Sequence, residues 1–241
     1  MLALESVSKR FGGLVAVREV TLQVGAGDLV GVIGPNGAGK TTLFNVIAGY
    51  YRPDEGRILF GGRDITGHAT HEICRLGLTR TFQIVKPFGS LPVLDNVMIG
   101  ALTRIHSVVA ARREARRVVE FCGLADFAEV AARSLPIGFR KRLEVARALA
   151  TRPQLLLLDE VMAGLNPAEL AAMVELIRRL HTDGLTVIVI EHILAAIMRL
   201  AQRIVVLHHG EKIAEGPPSQ IARDAKVVDA YLGEEFVLAE A

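Results

Sequence analysis

The sequence predicts an α/β protein: a mainly parallel sheet with helices on both faces, an N-terminal antiparallel β-subdomain and an inserted α-helical subdomain. Three observations carry this expectation. An apolar strand, LVGVI at 29–33, runs directly into a glycine-rich loop and then a helix. After Pro153, apolar runs alternate with helical stretches, the pattern of parallel strands joined by crossover helices. Between these regions the chain reads as helical from about Leu91 to Ala150, while the first third reads as short strands punctuated by glycine turns.

The elements follow in order. LALESV, VREVTLQV at 17–24 and RILF at 57–60, before Gly61-Gly62, read as antiparallel strands, and 17–24 alternates with a period of two. A helix is expected from about Thr41 to Tyr50, and Pro53 bars its continuation. In the helical middle, Val108, Val109, Ala115, Val118, Val119 and Cys122 suit one helical face. Arg112, Arg113, Arg116 and Arg117 fall outside it, as on a solvated helix face, a phospholipid or RNA contact being the alternative. Beyond Pro153 come the strand QLLLLD, a helix over 168–181, the strand LTVIVI, a helix over 193–201 and the strand RIVVL.

Composition removes several classes of function. The 241 residues are 51% hydrophobic and 22% charged, enough to build a core and incompatible with a disordered chain. Lys and Arg number 28 against 26 acidic residues, a net charge of +2, which makes no case for coating a polyanion; no nucleic-acid partner is expected. Cys74 and Cys122 stand too far apart for a disulfide framework or a paired-cysteine metal site, so reduced thiols in a cytosolic compartment are expected. The start, MLALESVSKRF, lacks the apolar core of a signal peptide, and the runs LLLL at 155–158 and VIVI at 187–190 fall far short of the ~20 residues of a bilayer span. A secreted protein, an integral membrane protein and a zinc finger are thereby excluded.

Residues 34–41 carry the chemistry. Gly34-Pro35-Asn36-Gly37-Ala38-Gly39-Lys40-Thr41 satisfies GxxxxGK[ST] in full, with a strand before it and a helix after it. Glycines let successive backbone N–H groups turn inward onto phosphate oxygens, and the helix N-terminus adds the positive end of its dipole. Lys40 supplies a point charge for the β- and γ-phosphates, the Thr41 hydroxyl completes a Mg²⁺ shell, and Thr42 beside it joins the nucleotide-binding set. Such a loop needs a carboxylate to hold the metal. Leu155-Leu156-Leu157-Leu158-Asp159-Glu160 places one at the C-terminal end of a buried strand, where open α/β sheets bind ligands. Asp159 is expected to hold Mg²⁺ through water, and Glu160 to polarise the attacking water. The core is therefore a P-loop NTPase core.

The order Lys40, Gln83, Gly138, Asp159-Glu160, His192 resembles the ATP-binding cassette (ABC) ATPases over essentially the whole chain. The resemblance implies ATP as the nucleotide. It implies that Gln83 touches the metal and the attacking water, that His192 contacts the γ-phosphate and that Phe11 stacks on adenine. It also implies that Ala163-Gly164-Leu165-Asn166 faces a partner subunit. On this basis the chain is one domain, 1–241, in which 1–83 and 151–241 form the nucleotide-binding core and 84–150 the helical subdomain with the signature segment.

One segment departs from the family pattern. Where the signature LSGGQ stands, this chain has Leu135-Pro136-Ile137-Gly138-Phe139 followed by RKRLEVARALA, so only Leu135 and Gly138 survive. Pro136 replaces the serine whose hydroxyl would meet the γ-phosphate. Two readings follow, a weakened site or a subfamily variant that caps the partner's ATP through backbone N–H groups at a helix N-terminus opened by proline. The intact remainder favours the variant.

RTFQ at 80–83, GLNP at 164–167, KRLE at 141–144 and AYLG at 230–233 resemble the ATPases of branched-chain amino acid importers. That resemblance implies a second ABC ATPase subunit, transmembrane permease subunits docking at the surface after Gln83 near Lys86, Pro87 and Phe88, and indirectly a solute-binding protein. It implies a peripheral place on the cytoplasmic face of the membrane. The rivals are a urea, amide or lipopolysaccharide transporter ATPase, a non-transport cassette acting on DNA or ribosomes, and a regulatory ATP-binding partner. No NKxD motif is present to support a GTPase.

Overall fold

The computed structural model describes residues 1–84 and 86–232; Val85 and 233–241, with Gly233 of the AYLG run, lie outside the described residues. In chain order the elements begin β1 (Leu2–Phe11), β2 (Leu14–Val24), β3 (Leu29–Ile33), α1 (Lys40–Ile47), β4 (Glu55–Phe60), β5 (Arg63–Asp64), α2 (Thr70–Leu76) and β6 (Leu78–Arg80). There follow α3 (Val93–Ala101), α4 (Val108–Phe121), α5 (Ile137–Leu149), β7 (Leu155–Asp159), α6 (Pro167–Thr182) and β8 (Thr186–Ile190). The last are α7 (Leu194–Leu200), β9 (Arg203–His208), β10 (Glu211–Gly216), α8 (Pro218–Ile221) and α9 (Ala225–Leu232). The described residues form two compact units, one of residues 1–73 and 186–232, the other of residues 74–185.

In the first unit, β1 lies between β2 and β4 and runs antiparallel to both, with β5 on the far side of β4. Leu2, Leu4 and Val7 of β1 and Val17, Val20, Leu22 and Val24 of β2 are buried, and exposed residues interleave with those of β2, as the pleat requires of a sheet with one buried face. The same unit holds β3 flanked by β8 and β9 and parallel to both, with Leu29 opposite Val187 and Val30 opposite Arg203; β10 adds antiparallel to β9. Every residue of β3 and β8 is buried, which explains their continuous rather than alternating apolar runs. The C-terminal end of β3 feeds the glycine loop, and that of β8 feeds Glu191 and His192.

In the second unit, β6 pairs parallel with β7, Leu78 opposite Leu155 and Arg80 opposite Leu157. Helices α3, α4 and α5 pack on one another, and α5 also contacts both strands. Ala111, Ala115, Val118, Val119 and Cys122 are buried, but Val108 and Val109 are 60% and 81% exposed, against the expectation that they share the buried face. The helix starts at Val108, capped by Ser107, and in its first turn Ala111, not the two valines, takes the buried position. Arg112 is drawn into ion pairs with Asp95 and Glu129 rather than left to solvent.

Asn96, fully buried on α3, pins the segment after Gln83. Its Oδ1 accepts the Phe88 N–H at 2.8 Å, and its Nδ2 donates to the carbonyls of Phe88, Leu91 and Pro92. Removing the amide leaves the Phe88 N–H without its acceptor, while the carbonyls of Phe88, Leu91 and Pro92 each keep one backbone donor and lose the second. Asn96→Leu is expected to lower stability by about 2–3 kcal/mol, measured as the shift in urea midpoint at unchanged slope; a change within experimental error would show that the segment is held by something else.

Candidate functional site

The phosphate loop belongs to the first unit. Gly34 and Gly39 take φ of 151° and 98°, and a Cβ would come within 2.1 Å of the Leu207 carbonyl oxygen at the first and 2.2 Å of the Ala16 carbonyl oxygen at the second. Only glycine lets the loop pass so close to neighbouring backbone. The loop is tied by Ala38 N–H to Pro35 O and by Gly210 N–H to Ala38 O. Lys40, the first residue of α1, is buried, and its ammonium folds back to donate to Gly34 O at 2.6 Å and Pro35 O at 2.8 Å. The charge is thus held over the loop that the motif says will receive phosphates. Asn36 and Gly37 are exposed at its crest; Thr41 and Thr42 are half-buried in the first turn of α1. The helix ends at Ile47 rather than Tyr50, because the chain turns at Gly49, where φ is 74°.

Two further predicted residues lie in this unit. Phe11 closes β1 with its ring 42% exposed, edge-on to Tyr51 at 5.1 Å and with the Lys9 ammonium 5.5 Å from its centre. His192 is exposed immediately beyond β8, next to the buried Glu191.

The second unit gathers Asp159, Glu160 and Gln83. Asp159 ends β7 without solvent exposure. Its Oδ2 accepts from Arg80 at 2.8 Å, its backbone N–H donates to the Thr81 hydroxyl at 3.0 Å, and its Oδ1 has no hydrogen-bond partner. Burial pushes the Asp159 carboxyl above its ordinary range, and the Arg80 guanidinium pulls it back. Glu160 turns out of the strand with φ of +49°, a left-handed conformation uncommon for a residue with a side chain. Gln83 donates its amide to Glu160 Oε2 at 2.6 Å. The Lys141 ammonium donates to Glu160 O at 2.8 Å and, more weakly, to Gln83 O at 3.4 Å. Glu144 and Arg147, one helical turn on, pair at 2.9 Å; burial raises the Glu144 carboxyl, and Arg147 opposes the shift. Arg147 also donates to Lys86 O and covers the Phe88 ring at 5.3 Å.

The signature segment lies in this unit as well. Leu135 and Gly138 are buried. Pro136 sits one position before the helix, at its N-cap, rather than in its first turn: α5 begins at Ile137, and Pro136 O accepts the Arg140 N–H. The φ of −58° suits either position, while the ψ of 158° belongs outside a helix. Asn166, at the end of the Ala163–Asn166 loop, caps α6, accepting from the Glu169 N–H while Glu169 Oε2 accepts its own N–H.

Sequence reasoning missed Arg80, Asn96 and Lys141. Each is a polar residue whose importance comes from a buried partner far along the chain, and a solitary polar residue announces no such partner.

Against known families, residues 17–163 match the model described as ABC transporter. The chain belongs to the ABC transporter family of ATP-binding cassettes. As a member of that family it is an ATPase built on an α/β P-loop fold. Residues 211–237 separately match a model described as branched-chain amino acid ATP-binding cassette transporter. The high-affinity branched-chain amino acid transport ATP-binding protein BraF of Pseudomonas aeruginosa is 39% identical, over 97% of this chain and 98% of its own. The probable branched-chain amino acid transport ATP-binding protein LivG of Archaeoglobus fulgidus is 40% identical over 97% and 95%. The lipopolysaccharide export system ATP-binding protein LptB of Acidithiobacillus ferridurans is 36% identical over 98% of each chain. Among solved structures, the ADP conformation of MJ1267, an ATP-binding cassette of an ABC transporter, superimposes with a TM-score of 0.88 at 33% identity, covering 97% of this chain and 99% of that one. A dimeric post-hydrolysis cassette, MJ0796 bound to ADP and Pi, gives 0.82 at 26% identity over 90% and 99%.

The pairing of Arg80 with Asp159 makes a prediction for this cassette. Arg80→Met leaves a buried carboxylate without its counter-charge and is expected to cost about 3–5 kcal/mol of stability, with Arg80→Lys retaining part of it. Guanidinium unfolding curves of the three proteins test this; equal midpoints for all three would show that Asp159 is not held by the ion pair.

Proposed function

We propose that this cassette hydrolyses MgATP as the energy-coupling subunit of a branched-chain amino acid importer. The match of residues 211–237 to the branched-chain amino acid cassette model carries the substrate assignment, since the nucleotide motifs are common to all cassettes. It favours this reading over lipopolysaccharide export, to which the same cassette core is also similar.

In this reading the N–H groups of residues 34–41 and the Lys40 ammonium bind the β- and γ-phosphates, and Phe11 stacks on adenine. The residues fit a hard divalent cation: Asp159 Oδ1 is a buried oxygen without a hydrogen-bond partner, and carboxylate and hydroxyl oxygens are what Mg²⁺ takes. Asp159, Thr41 and Gln83 would hold it, and it would neutralise charge on the phosphate oxygens. The Glu160 carboxylate accepts the proton of the water attacking the γ-phosphorus, and ADP departs from the opposite side. Gln83 orients that water from its bond to Glu160, and His192 contacts the γ-phosphate.

Two cassettes close around each ATP, the Leu135–Phe139 segment of one capping the γ-phosphate held by the loop of the other. Several contacts support the variant reading over a weakened one. Arg140 donates to Leu135 O and Arg133 O, and the Phe139 ring packs 4.3 Å from that of Phe127. The segment is therefore held in shape within its own chain, without the family serine. Permease subunits dock on the helical subdomain, 84–150, at the surface following Gln83, where Lys86 and Phe88 are exposed. A solute-binding protein delivers the amino acid from outside, and the cassette sits peripherally on the cytoplasmic face. Among the described residues no helix is long and apolar enough to cross a membrane.

Glu160→Gln keeps the hydrogen bonding of the site but removes its base. Steady-state hydrolysis should fall by roughly 10²-fold while equilibrium titration still detects ATP binding. Near-normal turnover would remove Glu160 from the chemistry. The transport reading is tested by reconstituting the cassette with its permease subunits in vesicles. ATPase activity and uptake are expected to rise with leucine, isoleucine or valine presented on the binding protein, and a response to lipopolysaccharide alone would replace this reading with export.

A further inference from the structure

Lys141 carries a charge on a side chain that is almost entirely buried: the residue is 5% exposed. It lies on α5, one turn beyond Gly138, in a run, RKR, whose neighbours look like solvated surface residues. Its ammonium reaches two backbone carbonyls, Glu160 O at 2.8 Å and Gln83 O at 3.4 Å. These are the residues whose side chains meet at 2.6 Å through Gln83 Nε2 and Glu160 Oε2. Asp159 and Glu144 lie near enough to feel Lys141 as a minor neighbouring cation, behind their own ion pairs with Arg80 and Arg147.

Glu160 needs such a grip. Its backbone sits at φ +49°, a region that a residue with a side chain occupies only when its surroundings hold it there. The Ala163 N–H also reaches Glu160 O, at 3.4 Å, a long and weak bond. The charged donor at 2.8 Å is the stronger restraint. It fixes the peptide that aims the Glu160 carboxylate, and the same ammonium reaches the backbone of the residue that orients the water.

We propose that Lys141 is a positioning residue for hydrolysis: by clamping the carbonyls of Glu160 and Gln83 it sets the geometry of the general base, and it ties that geometry to α5. The proposal rests on the reading of Glu160 as the base.

The test uses the full chain with Lys141→Met, which keeps the length of the aliphatic stem and removes the ammonium, and Lys141→Arg, which keeps a charged donor. Lys141→Met is expected to lower kcat by about 10- to 100-fold, the scale of a misplaced catalytic group, with ATP affinity by equilibrium titration within about twofold of wild type. Lys141→Arg should recover most of kcat. In the Glu160→Gln background Lys141→Met should add little further loss, because the lysine acts through the carboxylate that is already gone. A structural defect would instead reduce turnover by the same factor in both backgrounds, which would overturn the proposal. So would a folded Lys141→Met protein with wild-type kcat, or a loss of ATP affinity in proportion to kcat. If Lys141→Met does not fold, Lys141→Gln carries the same comparison with a polar neutral side chain. Should Glu160→Gln alone retain turnover, the base assignment falls and this proposal with it; should Glu160→Gln lose activity while the Lys141 variants do not, only the positioning role fails.

Discussion

The register between β6 and β7 is the constraint on which the catalytic half of this cassette depends. Arg80 stands opposite Leu157 in that parallel pair, and the pairing continues past the strand end, where Thr81 N–H donates to Leu157 O and Thr81 Oγ1 accepts the Asp159 N–H. With that alignment, the Arg80 guanidinium meets the buried Asp159 carboxylate and the chain three residues on delivers Gln83 to Glu160. A slip of one residue would turn Arg80 to the other face of the pair and leave Asp159 as an uncompensated buried charge. The ion pair and the pairing of the strands therefore enforce each other.

The same strand end separates the two acids by backbone geometry. Asp159 keeps the line of β7 and stays buried, one oxygen on Arg80 and the other without a hydrogen-bond partner. Glu160, turned into the left-handed region, leaves that line and is partly exposed. Two adjacent carboxylates on a regular strand would point to opposite faces of the sheet. The twist at Glu160 instead leaves both at the C-terminal edge, one carboxylate buried and the other partly exposed. The conformational cost falls on one residue, whose carbonyl is held by a charged donor.

What could be read from the sequence divides along the line between local and non-local physics. The phosphate loop was legible because its requirements are local: glycines where backbone passes at contact distance, a lysine at the helix start, an apolar strand before it. The α/β class followed from the same kind of local pattern, as did the N-terminal antiparallel strands. The identity of Gln83, Asp159 and Glu160 as a set came from their order and the family resemblance, but the contact between Gln83 and Glu160 is a product of strand register that periodicity does not encode. Arg80 and Lys141 were illegible for the same reason. Within a basic run, nothing local distinguishes Lys141, buried on two distant carbonyls, from Arg142, whose guanidinium lies 5.4 Å from the Phe139 ring. Val108 and Val109 failed in the opposite direction: they stand in the first turn of α4 and are exposed, while Ala111 takes the buried position there. Pro136 failed because its fixed φ fits both the first turn and the residue before it, and only ψ separates them.

The altered signature is best understood from what surrounds Gly138. An added Cβ there would come 2.5 Å from Glu169 Oε1, and Glu169 is the residue that closes the capping box of α6 with Asn166. A side chain at Gly138 would push Glu169 from its place in the capping box, because the start of α5 lies against the start of α6. A substitution at Gly138 would disturb that contact as well as any phosphate-capping role, so loss of activity there would not by itself identify a phosphate cap. Pro136 and Ile137 are the opposite case, being exposed and forming no part of that junction. The family glycine survives where two helix starts converge, and the family serine is replaced where the chain faces outward. At the second, the backbone around Pro136 is fixed by the Arg140 guanidinium on Leu135 O and Arg133 O. The helix N-terminus can thus keep its shape and its unpaired N–H groups while the residue before it changes from a hydroxyl to a ring.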